Sequence, residues 1–102
     1  MRELKQHREV EEEIEQAVLY FESVSLWASD RFLSQLRDGF SRILQNPSPC
    51  HFAYKRYRRC NLRHFPYAII YRDRDDAVYV IAVMHDKRHP DYWKARIQDD
   101  QD

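Results

Sequence analysis

The sequence predicts an α+β domain in which two antiparallel helices pack on an antiparallel sheet of three to four strands. Apolar residues follow a helical period in the first half of the chain and a strand period in the second half. An Asn-Pro-Ser-Pro segment at residues 46–49 separates the two halves. A chain of 102 residues has room for one hydrophobic core, so we expect a single domain over residues 1–102.

Two amphipathic helices are predicted before residue 46. In the first, apolar side chains recur at helical spacing from Val10 to Phe21, and a Ser-Val-Ser sequence ends the pattern. In the second, the apolar stripe runs over residues 32–44, and either Ser29 or Asp30 could cap the helix. The stripe contains the chain's only glycine. A glycine inside a helix costs about 1 kcal/mol relative to alanine, so this residue, Gly39, predicts a close approach of the helix to another element.

Strand patterns fill most of the second half. Residues 2–6 could form a first edge strand or a frayed end, because only Leu4 is apolar there. Alternating residues at 52–54 lead into a basic stretch, and two apolar strands at 67–71 and 77–84 form a hairpin across an acidic turn. After Pro90, apolar residues near helical spacing predict a short helical turn that docks on the sheet.

The net charge of zero hides a basic middle segment. Acidic residues outnumber basic ones nine to six in residues 1–49 and eight to five in residues 73–102. Between Cys50 and Arg72 there are six basic residues and no acidic one, namely Lys55, Arg56, Arg58, Arg59, Arg63 and Arg72. A segment of this kind is typical of surfaces that bind phosphates or acidic partners.

Several protein classes are excluded by composition. Two cysteines do not form a disulfide framework, and the charged first 15 residues do not resemble a signal peptide, so free thiols and a cytoplasmic location are expected. The longest uncharged apolar stretch, residues 77–84, is far shorter than the roughly 20 residues that span a bilayer, so no membrane contact is expected. His85 and His89 have a tolerable spacing for metal ligands, but the sequence has no CxxC pair and Pro90 disfavours a helix there, so no metal is expected either.

A long pattern in the second half resembles a known family. It comprises Phe65-Pro66-Tyr67 with Tyr71, then the strand that ends at His85, followed by Arg88, Pro90, Tyr92-Trp93 and Arg96. Together with the two preceding helices, it resembles the RelE/ParE superfamily of toxins from bacterial type II toxin–antitoxin, or plasmid stabilisation, systems. The likeness extends from roughly Leu4 to Ile97.

The resemblance implies a microbial RNase-like α+β fold and inhibition by a cognate antitoxin in a toxin–antitoxin hetero-oligomer. RelE-like members cut mRNA on the ribosome without a metal or other cofactor, whereas ParE-like members inhibit DNA gyrase and lack the nuclease residues. The chain could therefore be a ribosome-dependent endoribonuclease or a gyrase inhibitor. A third alternative is a degenerate, non-toxic binding module, for example a homodimer that buries Phe52 or Trp93 between its subunits.

RNA cleavage would need groups that activate a ribose hydroxyl, stabilise the phosphate and protonate the leaving oxygen. By the resemblance, the candidate catalytic residues are Arg59, Arg63, His85, Arg88 and Tyr92. The sequence departs from the nuclease pattern at two positions, because Ala68 stands where an arginine is expected and Asn61 where a lysine is expected. Both departures favour the gyrase alternative.

The basic run predicts a second surface, which would bind RNA or the antitoxin. Its cationic side chains could follow phosphates while its tyrosines stack on bases. Alternatively, the run is a solvated edge strand whose charges prevent edge-to-edge pairing. The candidate binding residues are Tyr54, Lys55, Arg56, Tyr57 and Arg58.

Overall fold

The computed structural model describes residues 2–100, so the ends of the predicted domain at Met1 and at residues 101–102 lie outside the described residues. Within this range no helix is both long and apolar enough to cross a membrane. The elements, in chain order, are β1 (Glu3–Gln6), α1 (Val10–Val24), α2 (Leu26–Gln45), β2 (His51–Tyr54), β3 (Tyr57–Asn61), β4 (Tyr67–Asp73), β5 (Ala77–His85) and a C-terminal 3-10 helix (Tyr92–Asp99).

The strands form one sheet in the order β1-β5-β4-β3-β2. β1 runs parallel to β5, with Glu3 opposite Ala77 and Gln6 opposite Val80, and the other neighbouring strands are antiparallel. The α+β class and the two helices packed on the sheet are confirmed, but the described sheet has five strands rather than three or four. The additional strand is β1, in which only Leu4 is partly buried, so its apolar period is weak.

Helix α2 begins earlier than the apolar stripe predicts. The hydroxyl of Ser25 accepts a hydrogen bond at 3.0 Å from the backbone N–H three residues later, so Ser25 is the N-cap rather than Ser29 or Asp30. Ser29 is instead buried inside the helix. The first-turn residues Leu26 and Trp27 face solvent, which explains why the buried stripe starts only after them.

Both faces of the sheet are covered. The two α-helices cover one face, called here the helix face, and the 3-10 helix covers part of the other, called here the opposite face. On the opposite face Trp93 is only 1% exposed, and its ring centroid lies 5.5 Å from that of Tyr57. Trp93 is therefore a core residue of the opposite face.

Gly39 brings α2 close to the sheet, as predicted. A Cβ atom at this position would lie 3.0 Å from Cδ1 of Ile69 and 3.4 Å from Cδ2 of Leu62. The first distance is shorter than ordinary van der Waals contact between carbon atoms. A larger side chain at this position would therefore require the Ile69 side chain or the helix to shift.

Candidate functional site

Arg59, the first candidate catalytic residue, is held on the opposite face of the sheet by neighbouring side chains. Its Nη2 lies 2.8 Å from Oδ1 of Asp86, and its Nε donates to Oδ1 of Asn61 at 2.9 Å. Its Nη1 lies 3.7 Å from the sulfur of Met84, which belongs to the core on that face. The guanidinium is thus already paired with a carboxylate, which a phosphate would have to displace.

His85 lies on the helix face instead. Its ring packs edge-on against Tyr67 with the centroids 5.0 Å apart, and Tyr67 in turn packs against the core beneath the helices. The Nδ1 atom accepts a hydrogen bond at 3.0 Å from the backbone N–H of Lys87. Successive residues of a strand point to opposite faces, so the sheet separates His85 from Arg59, which contacts the preceding residue Met84.

Arg88 and Tyr92 form a pair beside α1. The guanidinium carbon of Arg88 lies 3.7 Å from the centroid of the Tyr92 ring, and the Tyr92 hydroxyl donates to Oε2 of Glu13 at 2.5 Å. Burial, together with the hydrogen bond to Glu13 and its charge, raises the pKa of Tyr92 well above its usual range. A phenol of this kind stays protonated near neutral pH and serves as a hydrogen-bond donor to Glu13 rather than as a base.

Glu13 is the acceptor at the centre of this cluster, and the sequence analysis missed it. Its Oε1 and Oε2 accept hydrogen bonds from the two terminal nitrogens of Arg96, each at 3.0 Å, and Oε1 also accepts from the backbone N–H of Val83 at 2.9 Å. Arg88 adds a looser contact, with Nη1 3.5 Å from Oε2. The side chains of Glu13 and Arg96 are only 10% and 9% exposed.

This cluster closes the edge of β5 beyond the end of β1. β1 pairs with β5 only as far as Val80, which leaves the next residues without a neighbouring strand on that side. There Arg96 donates to the carbonyl of Ile81 at 3.0 Å, while Glu13 receives the N–H of Val83. Burial alone would lower the pKa of Arg96, but the hydrogen bond and charge of Glu13 outweigh it and raise that pKa. The cluster therefore binds α1, β5 and the 3-10 helix together.

One signal for this cluster is present in the sequence. Arg96 closes the C-terminal pattern, and a buried arginine requires an acidic partner. Glu13 is one of five glutamates in residues 9–15, all of which suit the positive end of a helix dipole, so nothing in the sequence distinguishes it from the others.

Of the remaining candidates, Arg63 is exposed in the connection between β3 and β4. The basic run forms the β2–β3 hairpin, in which Lys55 has a positive φ of 51°. Tyr54 is half-buried, with Nζ of Lys55 and of Lys94 at 5.2 and 3.9 Å from its ring centroid. Arg56 is exposed at the turn. This part of the run is thus a cationic surface with one accessible aromatic ring.

The rest of the run is engaged in contacts within the protein. The Arg58 guanidinium carbon lies 4.0 Å from the centroid of the exposed Phe52 ring. Tyr57 is buried, and burial raises the pKa of its hydroxyl, which donates to the carboxylate of Asp100. That carboxylate also lies 3.2 Å from Nε of Arg72. Tyr57 is therefore not available to stack on a base, and the acidic C-terminal segment balances part of the basic middle segment.

An apolar surface lies at the tip of the helical hairpin. Five large side chains there are between 54% and 72% exposed, namely Leu19, Tyr20, Val24, Leu26 and Trp27. Arg31 covers one edge, with its guanidinium carbon 5.4 Å from the Trp27 ring. These residues give no signal in the sequence, because they lie off the buried stripe of each helix.

Metal ligands are not grouped in the part of the chain that the structure describes. Over residues 2–100, no set of three or more His, Cys, Asp or Glu side chains is arranged to hold an ion. Cys50 and Cys60 are both free thiols, half-buried and buried respectively.

Comparison with known proteins identifies the family. Residues 4–90 match the family model described as the ParE toxin of the type II toxin-antitoxin system, parDE. The chain is 32% identical over 97 residues to Toxin ParE2 of Mycobacterium tuberculosis strain CDC 1551 / Oshkosh, covering 94% of this chain and 92% of the relative. Toxin ParE2 of strain ATCC 25618 / H37Rv matches with the same identity and coverage.

A solved structure has the same fold. It is described as the chromosomal ParDE TA system from P. aeruginosa, and it matches with a TM-score of 0.70, covering 83% of this chain and 96% of that chain. At 11% sequence identity, this likeness concerns the fold alone. The family model and the ParE2 relatives confirm the RelE/ParE resemblance, and the chain belongs to the ParE toxin family of type II toxin–antitoxin systems.

Proposed function

We propose that this toxin inhibits growth by binding a target protein, DNA gyrase, and that it does not cut RNA. The proposal rests on one observation, namely that Arg59 and His85 lie on opposite faces of the sheet. Metal-independent cleavage needs a proton-transferring group and a phosphate-binding cation within hydrogen-bonding reach of the same phosphate. Two groups on opposite faces of a sheet do not meet this requirement.

The two departures from the nuclease pattern support the same proposal. Ala68 is fully buried on the opposite face and offers no cation there. Asn61 carries no charge, and its amide oxygen accepts a hydrogen bond from Arg59. Cleavage would also require Arg59 to leave Asp86. A positioned donor at a reacting oxygen is typically worth about 3–4 kcal/mol of transition-state stabilisation, so the loss of several such groups would remove most of the activity.

The test compares two variants in growing bacteria and with purified gyrase. We expect induced expression to arrest growth with intact transcripts, and the purified chain to inhibit gyrase supercoiling. Arg59→Gln should arrest growth as effectively as Arg37→Gln, a matched change at an exposed position of α2.

Two results would contradict the proposal. New 5′ ends inside translated codons that disappear in Arg59→Gln but persist in Arg37→Gln would establish RNA cleavage. Normal growth despite accumulation of soluble protein would favour the non-toxic binding module. In that alternative only Phe52 remains available for a homodimer, because Trp93 is buried within the protomer.

The β2–β3 hairpin is the surface that we assign to the cognate antitoxin. β2 lies at the end of the sheet, and His51, Phe52 and Ala53 are exposed along it. An edge strand presents unpaired backbone groups that can accept a further strand, and the cations of the hairpin favour an acidic one.

Charge reversal tests this assignment. Lys55→Glu should weaken antitoxin binding about tenfold, or about 1.4 kcal/mol, with an effect that shrinks as salt is added. The matched change is Lys87→Glu in the exposed turn after β5. Equal effects of the two variants would contradict the assignment.

A further inference from the structure

The two cysteines of the chain face each other across neighbouring strands. β2 and β3 are antiparallel with His51 opposite Arg59, and Cys50 directly precedes β2, so extending this register by one residue brings Cys50 opposite Cys60. Both side chains belong to the core on the helix face, in which Cys60 is a buried member and Cys50 packs against it. The cysteines are thus cross-strand neighbours on the same face of the sheet.

This placement suits a disulfide bond. Opposed residues of antiparallel strands have Cα atoms about 4.5 or 5.5 Å apart, and disulfides join Cα atoms that are about 4.4–6.8 Å apart. The local backbone is also held in position, because Nη1 of Arg58 donates to the carbonyls of Ser48 and Cys50, each at 2.8 Å. The register irregularity of this strand pair lies between Phe52 and Tyr54, away from the cysteines.

The two thiols differ in accessibility. Cys50 is half-buried and Cys60 is buried. Burial, and to a smaller extent the hydrogen bond with Cys50, raises the pKa of Cys60 to about 12. An oxidant in solution would therefore reach Cys50 first, and the sulfur atom next to the oxidised Cys50 would be that of Cys60.

We propose that Cys50 and Cys60 form an intramolecular disulfide when the protein meets a hydroperoxide. The Cys50 sulfur attacks one peroxide oxygen, which gives a sulfenic acid and one molecule of water when the oxidant is hydrogen peroxide. The Cys60 sulfur then attacks the Cys50 sulfur, and the hydroxyl leaves as a second water with the proton of Cys60. The two thiols supply the two electrons that reduce the peroxide.

The bond would link β2 covalently to β3 and so fix the base of the basic hairpin. In a reducing cytoplasm such a bond would be transient and reversible by thiol exchange. The proposal does not depend on the target of the toxin, since it concerns only this pair of side chains.

Peptide mapping of the folded, reduced chain after treatment with hydrogen peroxide tests the proposal. Because Lys55, Arg56, Arg58 and Arg59 lie between the cysteines, trypsin separates residues 43–55 from residues 60–63. We expect these two peptides joined in a monomeric protein that has lost two hydrogen atoms, and separated again by dithiothreitol. Disulfide-linked dimers, or a sulfinic acid at Cys50 with an intact Cys60 thiol, would overturn the proposal.

Cys50→Ser provides the control, because its partly exposed position tolerates the change more readily than the buried Cys60 does. Under the same dose of peroxide the variant should keep the Cys60 thiol, whereas the wild type should lose both thiols together. Loss of the Cys60 thiol at the same rate in both proteins would show that Cys60 reacts independently and would refute the mechanism.

Discussion

Glu13→Gln should destabilise the protein more than its conservative chemistry suggests. The substitution keeps the shape of the side chain but removes the negative charge that Arg96 faces at 3.0 Å, where both side chains are about nine-tenths buried. Breaking one side of a buried ion pair typically costs about 3–5 kcal/mol, because the remaining charge has no partner. We take about 3 kcal/mol, the lower end, since an amide oxygen can still accept one of the hydrogen bonds and Oε2 of Glu9 stays 3.7 Å from Nε of Arg96. For a domain of this size each kcal/mol lowers Tm by about 4–8 °C, so the expected shift is about 15 °C.

The measurement is thermal and urea unfolding of the purified variant followed by circular dichroism. Glu12→Gln is the matched control, because it makes the same chemical change on the neighbouring exposed residue of α1 and should stay within about 0.5 kcal/mol of the wild type. Adding Arg96→Met to Glu13→Gln should recover part of the loss, since the buried charge that has lost its main partner is then removed. Equal stability of Glu13→Gln and Glu12→Gln would refute the central role of this carboxylate.

Three further predictions concern other parts of the fold. Gly39→Ala should lower the free energy of unfolding by about 1 kcal/mol in urea titrations, because crowding against the sheet outweighs the gain in helix propensity. Tyr71→Phe should cost about 1–2 kcal/mol in the same assay, since it leaves the carbonyl of Pro47, now bonded at 2.7 Å, unpaired in a buried site. The hydrogen bond with His7 lowers the pKa of Asp99 in the folded protein. The ionised carboxylate therefore stabilises the fold at pH values above its unfolded pKa of about 4. This stabilisation is lost as the pH falls through the lower pKa of the folded state. Asp99→Asn should therefore reduce the slope of stability against pH in the acid range, and an unchanged slope would contradict this assignment.

The parts of the fold that follow a local period could be predicted from the sequence. Both helices and the β4–β5 hairpin follow from residue spacing and side-chain type alone. The role of β1 could not be predicted with the same clarity, because its partner β5 lies more than 70 residues away and only one of its side chains is partly buried. A contact between segments that are far apart in the sequence does not produce a periodic spacing of apolar residues.

The candidate site shows the same limit. His85 and Tyr92 are candidates because their side chains can transfer protons. In the structure, however, His85 packs on Tyr67 and the Tyr92 hydroxyl donates to Glu13. The residue type indicates which chemistry a side chain is capable of. Its actual role depends on the side chains that it contacts, and these belong to other helices and strands. The residues that carry the family resemblance thus include several whose visible contacts hold the fold together.

The pairing of β1 with β5 also affects the order in which this protein can fold during synthesis. During synthesis β1 leaves the ribosome well before the residues that it pairs with, Ala77–Val80, which lie more than 70 residues later in the chain. Until β5 is made, the central strand β4 lacks one of its two neighbours, and α1 lacks the strand that it packs against. Contacts of such high sequence separation form late, because closing a long loop costs entropy before the contact stabilises the chain. A nascent toxin of this topology therefore cannot complete its sheet until β5 has been synthesised.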